Sequence, residues 1–446
     1  MSKPIGAPAL AFAGGLSVAT LMATSALAAA AAPAGGSPVL EEIVVTADRP
    51  GYGAELVQAG SFRGARQLDT PLTVSVIPQQ VIASQQALSI FDALKNTAGV
   101  TSSQTSPTVY NNLAIRGINV ENRGNFRLNG SLPIVNLIDL PLEDKDRVEA
   151  LKGASALYYG FTTPSGIINL TMKRPTADPF VQATVFGNSF GAVAGHIDTS
   201  QTWGMLSARL NAVYGTVDSG IDNTLGHRTL LSGAFDLKPT DKLTVSLDAE
   251  HIEKTVPEPG IFRYTTTPKP TVANPYPAIA LPPLLDPSTN FGAKWMKNQA
   301  EENNVLGHVN YKINDAWAVT ADIGESRLTR TRRFSTLNPT NLATGDGTLA
   351  ITLQNDNEYV NKNYRAEVAG TFATGPLVHE VLFGASKNER TQFNAAQTSG
   401  LCPGATPTGA QVTCTQNFFR PRAIPETPLG PSVGVTTGIR DIGYYV

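Results

Sequence analysis

From residue 180 onward the chain alternates apolar and polar residues in short runs. This is the period of a strand with one face dry and the other wet. Residues 180–187, 192–199, 205–215, 228–237, 243–252, 305–313, 316–323, 364–372 and 378–384 carry the pattern. Short connections such as 238–242 alternate with long ones such as 255–299. Short turns on one rim and long loops on the other are the rhythm of an antiparallel transmembrane β-barrel. A soluble sandwich would space its turns more evenly.

The chain before residue 180 reads as a mixed α+β domain. Residues 73–77 alternate as a strand, Pro78 then opens a helix, and Ile90, Ala93 and Leu94 lie at helical spacing before a stop at Gly99. Residues 147–151 predict a strand that runs into Lys152-Gly153, followed by a helical patch over 154–159 that Gly160 ends. A turn at residues 164–166 launches another strand over 167–172. Asn129-Gly130, between alternating residues, predicts a hairpin turn because both positions tolerate positive φ.

At the N-terminus, Lys3, an apolar run over residues 9–21 and Ala26-Leu27-Ala28 read as a secretory signal, residues 1–28. Residues 29–67 form a linker, rich in Ala, Gly and Pro over 29–40. The β-prone run of residues 41–47 interrupts it.

Composition narrows the classes further. With 446 residues the chain is long enough for two or more domains, and its net charge of −2 offers no basic face for nucleic acid. Charged residues make up only 16%, against 40 Gly and 31 Pro, which suits a turn-rich β protein. Past the N-terminus no apolar run reaches the length of a membrane-spanning helix, but barrel strands escape that test.

Residues 146–175 read D-R-V-E-A-L-K-G-A-S-A-L-Y-Y-G-F-T-T-P-S-G-I-I-N-L-T-M-K-R-P. This resembles the second half of the plug domain of TonB-dependent outer-membrane receptors, above all the ferric-siderophore branch. Residues 113–117 (L-A-I-R-G) and Arg127-Leu128-Asn129-Gly130 resemble further plug motifs, as does the string from Asp69. Departures are Ala154 for a usual Pro, Ser165 for a usual Gly and Asn129 for a usual Asp. The resemblance implies a plug over residues 68–175 and the first part of the barrel over 180–446.

It also implies a function: energised uptake of a ferric siderophore across the outer membrane, without enzymatic activity. TonB, with its inner-membrane energising complex, the chelate and outer-membrane lipid would be the partners. No permanently bound cofactor is expected. Glu41-Glu42-Ile43-Val44-Val45-Thr46-Ala47 is similar to a TonB box, where Glu42, Ile43, Val44, Val45, Thr46 and Ala47 would add as a strand to TonB. The short linker ahead of it leaves no room for the extra domain of signalling receptors. Arg116, Arg147, Glu149 and Lys152 are expected at the plug–barrel contact; in the family the arginine matching Arg116 pairs with carboxylates of the barrel's second half. Gln104, Tyr110, Asn119, Asn122 and Arg123 on the plug, and Phe262, Arg263 and Tyr264 in the first long loop, are the ligand-binding candidates.

Cys402 and Cys414 are the only cysteines, with eleven residues between them in a Pro/Gly/Thr-rich loop of an exported chain, which favours a local disulfide. Five scattered histidines lack metal-ligand spacing. Residues 430–434 fit G-x-S-x-G and 345–350 fit G-x-G-x-x-A, yet neither has the strand–turn–helix context its chemistry requires.

A complete barrel of the family has about 22 strands. Only eight or nine are expected here, so the chain reads as an open, incomplete barrel that ends inside a strand. A receptor that captures ligand without transporting it, or one that takes a non-siderophore ligand such as cobalamin, is the alternative.

Overall fold

The computed structural model describes residues 57, 66–67, 70 and 72–446, except 104–107, 154–155, 161, 264–270, 276–283, 396–397, 400–412 and 427–433. The signal segment, residues 41–47, Gln104, Tyr264 and Cys402 therefore lie outside the described residues.

The first domain opens with β1 (Thr73–Pro78), α1 (Gln79–Ser84) and α2 (Ile90–Leu94). Pro78 is the N-cap of α1, and α2 starts from a capping box. In that box the Asp92 amide donates to Ser89 Oγ at 3.1 Å and the Ser89 amide to Asp92 Oδ2 at 3.2 Å. Both helix starts agree with the sequence, but α2 ends at Leu94, well short of Gly99. Next come β2 (Val100–Ser102), β3 (Leu113–Ile115), β4 (Ile118–Asn119), β5 (Phe126–Leu128), β6 (Leu132–Ile134), β7 (Lys145–Lys152), α3 (Ala156–Tyr159) and β8 (Gly166–Met172).

One sheet has the order β1-β7-β8-β5-β6, with β5 and β8 parallel, and a second has β2-β3-β4. Asn129 and Gly130 have φ of 49° and 68°, so they form the expected hairpin turn between β5 and β6. Gly166 (φ 131°) opens β8 so close to β7 that a Cβ there would stand 2.1 Å from the Leu151 carbonyl oxygen. The core holds Phe126, Leu128, Leu132, Ile134, Val148, Ile168 and Leu170, each fully buried. It continues into Val213, Leu230, Ile252, Leu306 and Leu328 of the second domain.

The second domain is one large antiparallel sheet. Its path is β9 (Phe180–Gly187), β10 (Val193–Trp203), β11 (Leu206–Val217), β12 (Gly226–Thr240), β13 (Leu243–Pro257), β15 (Lys297–Asn314), β16 (Trp317–Asn341), β17 (Asp346–Thr374), β18 (Leu377–Ala395) and β21 (Gly434–Tyr445). Short strands β14 (Ile261–Phe262), β19 (Thr398–Ser399) and β20 (Thr413–Asn417) extend β16 and β17. Among the described residues β9 and β21 do not pair, so the sheet is not closed.

The path has ten strands where eight or nine are expected: the nine alternating runs, plus β21. Several strands are much longer than their runs, β16 and β17 reaching 25 and 29 residues. Alternation detects a strand only where one face is apolar. In its added length β17 carries a further alternating run, Leu349, Ile351 and Leu353, buried in a separate apolar cluster with Leu337 of β16.

The sheet is inverted relative to a water-soluble domain. Val181, Ile197, Leu210, Leu231, Leu247, Val305 and Ile323 are exposed, while Asp198, Asp248, Glu250, Glu302, Asn304 and Asp322 are buried on the opposite face. An apolar outside around a polar lumen is the pattern of a barrel wall in lipid. On the outer face the apolar band ends at nearly the same level on neighbouring strands. Leu247 and Ala249 give way to His251 on β13, Val305 to Asn303 on β15, and Ile323 to Glu325 on β16. No helix among the described residues is long and apolar enough to cross a membrane.

Candidate functional site

The lumen face of the sheet meets the first domain through charged side chains. Lys145 Nζ donates to Asp144 Oδ1 at 2.6 Å and also contacts Glu250 of β13. Burial opposes both plug charges, but each outweighs that for the other: Asp144 is held below its ordinary carboxylate range by Lys145, whose own pKa is raised. Lys173 Nζ lies 2.9 Å from Asp198, which Arg209 also holds at 2.8 Å. Arg174 bridges Asp236 and Asp248. Glu143 pairs with Arg228, and this guanidinium overcomes the burial that would raise the carboxyl, keeping it below its ordinary value. Lys254 Nζ reaches Asp139 at 3.1 Å and the Val109 carbonyl at 3.2 Å. Lower down, Arg365 donates to the Gly130 carbonyl at 3.1 Å and to the Tyr158 hydroxyl at 2.9 Å.

These contacts fall on other residues than expected. Arg147 donates to Glu149 at 2.8 Å and to Asp146 at 2.8 Å, and Asn169 to Glu149 at 3.2 Å, all within the first domain. Arg116 is exposed, 3.4 Å from Thr73 Oγ1, and Lys152 Nζ donates to the Ala98 carbonyl at 2.8 Å. The described bonds of Arg116, Arg147, Glu149 and Lys152 thus knit β1, β7, β8 and the α2–β2 turn to each other. β7 lies inside its sheet, between β1 and β8. The wall is reached from the start of β7, from after β8, from the β5–β6 turn and from Tyr158. The signal available in sequence was the dense charge of residues 143–147 in a chain poor in charge, together with the acidic residues of the strands.

The upper surface gathers several of the predicted ligand-binding residues. Arg123 donates to Glu121 at 2.8 Å and to Gln392 of β18 at 2.8 Å, while Arg390 donates to Glu121 at 3.0 Å. Tyr110 is half-buried, with the guanidinium carbon of Arg330 5.8 Å from its ring centroid. Phe262 packs on Phe291 at 5.7 Å and Phe418 at 5.6 Å between centroids. With Arg263, Phe291, Arg332 and Phe334 it lines a cavity of about 790 Å³.

Two candidates are placed elsewhere. Asn122 bonds to Asn112 and accepts from Asn136 at 3.2 Å, so it holds the first domain together. Asn119 is exposed on β4, beside the turn that carries Arg116. Arg330, Arg332 and Arg390 were missed because a strand arginine gives no sequence sign of which face it takes at the rim. Cys414 is disulfide-bonded and buried, next to Leu349 on the neighbouring strand. No group of side chains suited to a metal ion occurs among the described residues.

Residues 66–167 match the model of the TonB-dependent Receptor Plug Domain. The first domain therefore resembles the plug of TonB-dependent receptors. It is 27% identical over 346 residues to the ferrichrome receptor FcuA of Yersinia enterocolitica, covering 74% of this chain and 43% of that protein. It is 27% identical over 410 residues to the catecholate siderophore receptor Fiu of Escherichia coli, covering 82% of this chain and 50% of Fiu. The chain thus spans about half the length of the curated relatives it matches. Among solved structures, BauA, the ferric preacinetobactin receptor of Acinetobacter baumannii, superposes with a TM-score of 0.74 at 20% identity, over 88% of this chain and 57% of BauA. That likeness is one of fold: a plug-like domain, as the family model also finds, beside a sheet folded as a barrel wall.

Proposed function

We propose that this receptor takes up a ferric siderophore across the outer membrane, driven by TonB. The observation that carries the reading is the plug held against the lumen face of an inverted sheet by a dense set of charged and polar bonds around a smaller apolar contact. A wholly apolar interface would resist separation in a water-filled lumen, whereas ion pairs can exchange for water at modest net cost. A plug seated this way can be displaced and can return. The relatives' names supply the cargo: ferrichrome for FcuA and catecholate siderophores for Fiu.

In this reading the chelate settles over Tyr110 and Arg123, under the wall that carries Phe262 and Arg263. TonB then pairs edge to edge with residues 42–47, and the pull reaches the plug through the linker. Iron arrives within its chelator, so the protein need supply no metal ligand. The disulfide of the outer loops would join Cys402 to Cys414.

Iron-limited cells producing the full receptor gene product should accumulate labelled ferric siderophore, and Val44→Pro should abolish this by breaking the extended strand. Uptake that persists after the proton-motive force is collapsed would refute the reading.

A further inference from the structure

Cationic side chains around the plug apex outnumber their anionic partners. Arg123 and Arg390 share the single carboxylate of Glu121, at 2.8 and 3.0 Å. Arg332 is matched one to one, its Nε 2.8 Å from Glu258. Among the described residues Arg330 is matched by no carboxylate. It is 5% exposed, its Nε and Nη1 have no hydrogen-bond partner, and Nη2 reaches only Gln354 Oε1 at 3.4 Å. Its guanidinium faces Tyr110 of the plug. Arg332, two residues on along the same face of β16, lies over the Phe334 ring at 4.2 Å and forms part of the cavity wall.

A buried guanidinium with idle donors is costly unless an anion completes it. The aromatic rings beside these arginines offer flat faces to a flat ring. Siderophore chemistries differ on both counts. Three dianionic catecholates leave a ferric complex strongly anionic and edged with aromatic rings, whereas three monoanionic hydroxamates leave it neutral and aliphatic.

We propose that this receptor selects a net-anionic, catechol-bearing ferric chelate over a neutral hydroxamate one, and that Arg330 is the residue that reads the charge. The proposal rests on the siderophore reading above and narrows its ligand class. It also separates the two kinds of relative, whose names point to different chelate chemistries.

The test is a binding titration of the 446-residue chain in detergent micelles, with a ferric tris-catecholate and a ferric tris-hydroxamate as probes. Wild type should bind the catecholate at least about tenfold more tightly, an advantage that shrinks as salt is raised. Arg330→Gln should erase most of that advantage and leave hydroxamate binding unchanged. Arg330→Lys should restore part of it, which a purely structural role would not predict. Arg327→Gln, on the outer face, should match wild type.

Equal or tighter binding of the hydroxamate, or an Arg330→Gln chain that keeps full preference, overturns the proposal while leaving siderophore uptake standing. Failure of wild type to bind either probe overturns the siderophore reading itself, and this one with it.

Discussion

Asn129 of the plug donates its side-chain amide to Asp248 Oδ2 of β13 at 2.6 Å, while its own Oδ1 accepts from the Met172 amide at 2.8 Å. One residue thus makes the hairpin turn, ties β5 to the end of β8 and joins the plug to the wall. An aspartate would keep the turn, since it tolerates positive φ, but would set a carboxylate against Asp248. We expect Asn129→Asp to cost about 1–3 kcal/mol of stability, the range for a lost charged hydrogen bond with an unsatisfied buried partner. A urea titration of the chain in micelles measures it, and a midpoint equal to wild type would show that Arg174 absorbs the extra charge.

Lys145 stands between Asp144 and Glu250. Lys145→Met leaves two buried carboxylates facing each other and is expected to destabilise the plug by about 3–5 kcal/mol. Adding Glu250→Gln should recover a large part of this. A double-mutant cycle on denaturation midpoints decides the matter, and strictly additive losses would mean the pair is not coupled.

Glu143 gives a pH dependence of definite sign. Its folded pKa lies below the ordinary 4.5 because of Arg228. Its stabilising effect is therefore complete above that value and fades as pH falls through the lowered one. Hydrogen-exchange protection along plug residues 140–152, measured relative to the intrinsic rate at each pH, should fall on acidification below about pH 4.5. Glu143→Gln should lack that acid limb and exchange faster already at neutral pH. A variant with an unchanged acid limb would assign the effect to other carboxylates.

Gly166→Ala tests a steric claim. Its φ of 131° and the Leu151 carbonyl oxygen 2.1 Å from the added carbon leave no room without moving β8. A loss of about 2–3 kcal/mol is expected from the strained backbone together with the displaced strand. Ser165→Gly, which introduces the residue more usual in the family, should cost far less. Thermal denaturation of both variants compares them directly.

The sequence by itself determined the order of domains, the plug's turns and helix starts, and the existence of nine of the ten wall strands. Each of these is a local matter: Asn129-Gly130 turns the chain through its own φ preference, Ser89 and Asp92 cap a helix three residues apart, and alternation marks a strand with one apolar face. What only the tertiary structure decided is which charges meet. Lys145 and Glu250 are 105 residues apart, and Lys254 and Asp139 are 115 apart. Arg147, expected at the wall, pairs with Asp146 and Glu149 of its own strand. Arg330 and Arg332 face the lumen only because the register of β16 against β15 puts them there, and a shift by one residue would turn both outward. The length of β16 and β17 was equally hidden: Leu349, Ile351 and Leu353 alternate, but only their pairing with β16 alongside Leu337 shows that they continue the wall strand.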